Sequence, residues 1–137
     1  MIWLLDSNAW IYYLKNVNLA VRARLQQKRP GDIRTCSIVL AELLYGALKY
    51  GNPEKRLIIV RETLSLYHSL PFDNGAAIRY AAIRHELELK RTVIGPNDLL
   101  IAAVCLEHDC TLVTSNMSEF SRVRNLRLED WTQPLPT

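Results

Sequence analysis

The sequence predicts an α/β fold, a single domain with a mostly parallel sheet of about five strands flanked by helices. Three observations carry this. Five short apolar runs, at residues 2–5, 33–36, 69–72, 111–114 and 126–128, are separated by longer stretches of helical pattern. Strands that alternate with helices pack as a parallel sheet covered on both faces. The chain has 137 residues, enough for one core and too few for two. Hydrophobic residues make up 49% and charged residues 23%, the balance of an ordinary globular domain, and no internal repeat, linker or low-complexity segment interrupts it.

The elements follow in order. Ile2-Trp3-Leu4-Leu5 is an apolar run that stops at Asp6-Ser7-Asn8, a buried strand followed by a polar turn and helix cap. Helices are expected from Ala9 to about Lys15 and from Leu19 to Lys28, and Pro30-Gly31-Asp32 marks a turn. Ile33 to Cys36 is the second strand, after which Ser37 is placed to cap a helix reaching about Tyr50. Gly51-Asn52-Pro53 ends that helix, and Glu54 to about Leu66 forms the next. Ser69 to Phe72 is the third strand. Asp73 caps a long amphipathic helix with Ala76, Tyr80, Ile83 and Leu87 on one stripe. Gly95-Pro96 breaks it, Asn97 is expected to cap the following helix, and Leu99 to Leu106 is apolar all round. Thr111 to Thr114 is the fourth strand and Leu126 to Leu128 a weaker fifth. The domain therefore spans 1–131, and 132–137 is a polar tail with Pro134 and Pro136.

Composition excludes several classes. No uncharged apolar run approaches the ~18 residues a membrane helix needs. The amino terminus meets Asp6 without a basic region, unlike a signal peptide, so a cytoplasmic location is the expectation. Cys36, Cys105 and Cys110 match no metal-ligand spacing and read as reduced packing residues. His68, His85 and His108 lie on different elements with no nucleophile signature nearby, and no glycine-rich phosphate loop is present. The net charge of +3 is compatible with a nucleic-acid partner but does not point to one by itself.

The informative residues are acids in costly places. Between Ser37 and Leu48 the only charge is Glu42, on a helix apolar almost all round; such a helix is expected to be buried, and an unpartnered buried carboxylate costs several kcal/mol. Asp98 stands just before an uncharged stretch, and Asp6 ends the first strand. In open parallel sheets, sites form outside the carboxyl ends of the strands. Asp6 leaves strand one there, Glu42 lies in the second turn after strand two, and Asn116 follows strand four. Asp98 begins the helix that leads into strand four, so it starts near the same edge. Two carboxylates about 4 Å apart repel by about 4 kcal/mol at an effective dielectric constant of about 20. Three together need a proton or a cation, and a hard divalent ion suits an all-oxygen set. Each acid also has a plainer role: Asp6 and Asn8 as helix caps, Asp98 as a charge complementing a helix dipole, Glu42 in a salt bridge.

The segments LLDSNAWI, AELLYG, GPNDLLIAA and LVTSNMSEF, followed by LRLEDW, resemble a PIN-domain ribonuclease, and more narrowly the VapC toxins of VapBC toxin–antitoxin pairs. The resemblance runs over residues 2 to about 131 in the family's order and spacing. It implies a compact parallel sheet with flanking helices, dependence on Mg²⁺ or Mn²⁺, and cleavage of RNA in tRNA or other single-stranded loops, leaving a 5′-phosphate and a 3′-hydroxyl. It maps metal-binding carboxylates onto Asp6, Glu42 and Asp98, with Ser7, Asn8 and Thr114 as supporting polar groups. It also implies a VapB-like antitoxin as partner and a homodimer. Ser7 stands where such proteins commonly have Thr. Asn116 stands where many PIN domains carry a fourth acid, and Glu119 is placed to supply that charge. Arg22, Arg24, Lys28, Arg29, Arg122, Arg124 and Arg127 are candidates to grip phosphates.

Three rival readings remain at this level. A phosphatase with an Asp nucleophile after strand one wants a second Asp two residues on, where this chain has Asn8. A receiver-type signalling module needs a phosphoacceptor Asp and a later Lys, and neither pattern is visible. A nuclease-dead PIN-like module would bind RNA or a protein without cutting, against the presence of Asp6, Glu42 and Asp98.

Overall fold

The sheet begins at its own centre. In the computed structural model, which describes residues 1–134, β1 (Trp3–Leu5) pairs in parallel with β2 (Ile33–Cys36) on one side and β4 (Thr111–Val113) on the other. Beyond them lie β3 (His68–Leu70) and β5 (Arg127–Glu129), giving the order β3-β2-β1-β4-β5 with every pair parallel. Leu4, Leu5, Ile33, Leu112 and Val113 are all buried, as expected of strands covered on both faces.

The helices are α1 (Ser7–Lys15), α2 (Leu19–Gln26), α3 (Ser37–Lys49), α4 (Pro53–Leu64), α5 (Asn74–Leu89), α6 (Pro96–Glu107) and the single turn α7 (Met117–Phe120). Pro30–Asp32 forms a 3₁₀ turn before β2. Asp6 caps α1 by accepting from Ala9 N at 2.9 Å, and Asp73 caps α5 in the same way through Ala76 N. The stripe of α5 faces inward as expected, with Ala76, Ile83 and Leu87 buried and Tyr80 half-buried. Helix α6 buries Leu99 and the run Ile101–Cys105. The three cysteines are free and buried.

Several local expectations need correction. Cys36, not Ser37, is the cap position of α3; it is extended and makes no side-chain cap bond, so Ser37 already belongs to the helix. Gly95 rather than Asn97 precedes α6, because Pro96 takes the first helical position, where its fixed φ and missing N–H cost nothing. The same preference starts α4 at Pro53. β3 lies at His68–Leu70 and stops before Pro71, which has no N–H to give the ladder. β5 is one residue later than expected, and α2 ends at Gln26.

The larger correction concerns α3. It buries one stripe, Val39, Leu43 and Ala47, while Tyr45 is 63% and Leu48 60% exposed. Its outer face stays open to solvent among the described residues, so composition alone overstated its burial. Of the expected tail, Thr132 is tied to Asp130, its N and Oγ1 both donating to Oδ1 at 2.9 and 2.6 Å. Residues 135–137, including Pro136, lie outside the described residues.

Candidate metal centre and active site

The strand order reverses at β1, whose neighbour on one side, β2, is the next strand in the chain and on the other, β4, comes much later. A crevice opens at the carboxyl end of such a switch point. Asp6 leaves β1 there, with its N–H bonded to Val113 O at 3.0 Å, and Thr114 leaves β4 beside it, with its N–H bonded to Glu129 O at 3.0 Å. Asp6 is buried, 5% exposed. Burial pushes its carboxyl above the ordinary range; the Thr114 hydroxyl and the Ala9 N–H pull against that, while the charges of Glu42 and Asp130 add to it.

Glu42 reaches the site from the second turn of α3. It is half-buried, less enclosed than an all-round apolar helix implied, and accepts a 2.6 Å hydrogen bond from Ser7 Oγ. The hydroxyl at position 7 therefore orients Glu42. Asp98 arrives from the first turn of α6, which runs antiparallel to β4 and so starts at the same edge. Its pKa is pushed up to about 6, first by burial and then by the charges of Glu119, Glu42 and Asp6. Asp98 and Glu119 are also within hydrogen-bonding reach of each other.

The segment after β4 is helical, and its geometry explains Asn116 and Glu119. Asn116 N donates to Thr114 Oγ1 at 2.9 Å, and Asn116 Nδ2 donates to Glu119 Oε2 at 3.1 Å. The amide thus holds the glutamate toward Asp98. Asn8 is not drawn in; it is exposed on α1 and makes no side-chain hydrogen bond among the described residues. Sequence reasoning missed Asp130, whose charge bears on Asp6. The available signal was positional, since Asp130 follows β5 as Asp6 follows β1. Arg24 Nη1 donates to its carbonyl at 3.1 Å.

Most of the basic residues expected to grip phosphates have other partners. Arg29 pairs with Asp32, Arg124 with Glu86 and Arg127 with Asp109. Arg122 donates to Val93 O, Arg22 lies over Tyr13, and Lys28 lies over Trp3 and Trp131. None of the described Lys, Arg or His side chains comes within 4 Å of Asp6, Glu42, Asp98 or Glu119.

A hard divalent cation fits this donor set. The ligands on offer are all carboxylate oxygens, no described side-chain cation balances them, and Asp98 feels the charges of Glu119, Glu42 and Asp6. Among the described residues no three such side chains close on a single point. Their mutual influence on Asp98 nonetheless puts them within one electrostatic site.

Comparison with known proteins identifies the family. The PIN domain family model matches residues 3–126. The chain is 38% identical over 131 residues to the tRNA(fMet)-specific endonuclease VapC of Salmonella typhimurium, covering 94% of this chain and 97% of that protein. It is 37% identical over 139 residues to ribonuclease VapC2 of Rickettsia felis, covering 96% and 98%. Among solved structures, DNA-bound VapBC from Salmonella typhimurium superposes with a TM-score of 0.89 at 37% identity, covering 96% of this chain and 98% of that one. VapBC2 from Rickettsia felis bound to a promoter DNA fragment gives 0.88 at 36% identity, covering 96% and 99%. With its sheet order, its acidic switch point and these matches over nearly its whole length, the chain belongs to the PIN-domain family, among the VapC ribonucleases.

Proposed function

We propose that this chain is the toxin of a type II toxin–antitoxin pair, a metal-dependent endoribonuclease in which Asp6, Glu42, Asp98 and Glu119 hold Mg²⁺ or Mn²⁺. The observation that carries the proposal is a set of four carboxylates at the sheet's switch point with no cationic side chain among the described residues to balance them. When bound, the ion lowers the pKa of a water and offsets charge developing on the phosphate.

The chain's own residues prepare that chemistry. Asp6 is held by the Ala9 N–H at 2.9 Å, and the neighbouring Thr114 hydroxyl favours its ionised form. Ser7 sets the rotamer of Glu42, and Asn116 sets that of Glu119. Asp98, whose carboxyl is pushed up to about 6 by burial and by its acidic neighbours, would be held in its ionised form by a bound cation. No histidine pair is needed for hydrolysis by activated water, in keeping with the scattered positions of His68, His85 and His108.

The substrate in this reading is RNA, and the specificity in the Salmonella relative's name makes tRNA the first to try. The partner is a VapB-like antitoxin, as in the toxin–antitoxin assemblies among the structural neighbours. The exposed apolar face of α3 supports a homodimer. No helix among the described residues is long and apolar enough to cross a membrane, and we place the protein in the cytoplasm with its substrate. The deciding experiment is cleavage of labelled tRNA with Mg²⁺, with Mn²⁺ and with EDTA. Cleavage that persists in EDTA, or that is unchanged in Asp98→Asn, would remove the metal centre from this account.

A further inference from the structure

We infer that the groove running from Glu42 toward the start of α4 is the track on which the RNA strand lies, its phosphates held by Lys15, Lys55 and Arg56 and a base set against Tyr50. This rests on the ribonuclease reading and adds the residues that bring the substrate to the acids.

A site made of carboxylates repels a polyanion, so the strand must be held by positive charge nearby. None of the basic residues singled out in the sequence lines the cavity beside Glu42. A different set borders the site directly. A cavity of about 650 Å³ lies between α1, α3 and α4; Glu42 lines it from the second turn of α3, and Tyr50 just past the end of α3, Lys15 at the end of α1 and Lys55 and Arg56 at the start of α4 line it about two turns further on. Its walls include Ile11, Leu14, Leu43 and Val60.

The cationic end is unbalanced in the opposite sense to the acidic one. Lys15 Nζ and Arg56 Cζ each lie 5.6 Å from the centre of the Tyr50 ring. Arg56 Nε donates to Gly51 O at 3.0 Å, and no described carboxylate lies within 4 Å of any of the three cations. Like charges gathered at one rim repel one another until an anion joins them. An apolar wall with a cationic rim and an exposed ring suits a single strand, whose bases and sugars pack on the wall while its phosphates meet the rim. The scissile phosphate then falls at the Glu42 end.

The test uses the full chain and a short fluorescein-labelled single-stranded RNA. Binding is followed by anisotropy in EDTA across a salt series, for wild type and for the triple variant Lys15→Gln, Lys55→Gln, Arg56→Gln. The variant should bind roughly tenfold more weakly at low salt, and its log–log salt slope should flatten by about 2, at about 0.7 for each lost contact. With Mg²⁺ its KM should rise by a similar factor while kcat at saturating RNA is retained. Should the triple variant lose its circular-dichroism signature, the single exposed substitution Lys55→Glu reads the same slope. Unchanged affinity and slope overturn the inference. If, in addition, the variant no longer binds its co-expressed antitoxin, the groove is a peptide site instead. The EDTA measurement tests the track whether or not the wild-type protein cuts, so failure of the ribonuclease reading is seen separately, as absence of wild-type cleavage with metal.

Discussion

The outer face of α5 and the carboxyl edge of the sheet use the same residue types to opposite ends. On α5, Glu88 meets Arg84 at 2.6 Å, and Glu86 meets Lys90 at 3.0 Å and Arg124 at 3.1 Å. The Lys90 hydrogen bond leads in drawing the Glu86 carboxyl below its ordinary range. At the sheet edge no described cation approaches the acids, and Asp98 is driven up to about 6. The lesson is that acid content says little, whereas local failure of charge balance marks a candidate functional site.

The sharpest way to break the contrast is to remove the acids in turn. Asp6→Asn, Glu42→Gln and Asp98→Asn should each bring Mg²⁺-dependent RNA cleavage to background while leaving the metal-free fold intact, since each relieves repulsion. Near wild-type rates in all three, measured on one labelled RNA, would end the assignment. A large effect is also expected for Glu119→Gln, which should raise the Mg²⁺ needed for half-maximal activity; adding Asn116→Asp should recover part of the loss by returning a carboxylate to the site. An unchanged Mg²⁺ titration in Glu119→Gln leaves a three-carboxylate centre.

A medium effect is expected in stability against pH. Because the folded Asp98 holds its proton to about pH 6, against 3.8 ordinarily, its contribution is stabilising below about pH 4 and is lost as pH rises through about 6. In EDTA, wild type should therefore lose about 1–2 kcal/mol over that window relative to Asp98→Asn, a figure reduced for partial solvent screening. Urea unfolding at several pH values measures it; parallel curves for the two proteins contradict it. Metal affinity should fall over the same window as protons compete for the carboxylate. The smallest effect belongs to α5, where Arg84→Ala should leave the thermal midpoint within error of wild type, because that pair lies on the solvent-exposed face. A clear drop there would mean that ion pairing on α5 does more than solvate a surface.

Much of the fold was legible because strands buried on both faces are written as plain apolar runs, and Pro and Gly punctuate them. What failed was local. Asn97 and Ser37 were favoured as caps by residue preference, while Pro96 and the extended Cys36 decided the actual helix starts. For the candidate site, the placement of Asp6 and Asp98 at the carboxyl edge of the sheet was readable from position alone. Glu42 was identified for a reason only half right, since α3 buries one stripe rather than all of itself. The Ser7–Glu42 and Asn116–Glu119 bonds set rotamers across a turn or between elements, and no sequence periodicity encodes a rotamer. Nor does sequence show which arginines already have partners, so Lys15, Lys55 and Arg56 emerged only once α1, α3 and α4 were seen to share a groove.

The placement of β1 at the middle of the sheet has a consequence for the protein's own synthesis. The first strand made receives β2 early, but its other neighbour, β4, comes near the end of the chain, and β5 comes later still. A growing chain that already carries Asp6, Glu42 and Asp98 still lacks the Thr114 hydroxyl, the Asn116–Glu119 pair and the strand that closes β1 on that side. Such contacts between distant segments form late and slowly. The order of residues thus splits the candidate site between distant segments: the acids of β1, α3 and α6 stay without their last neighbours until the segment after β4 has docked.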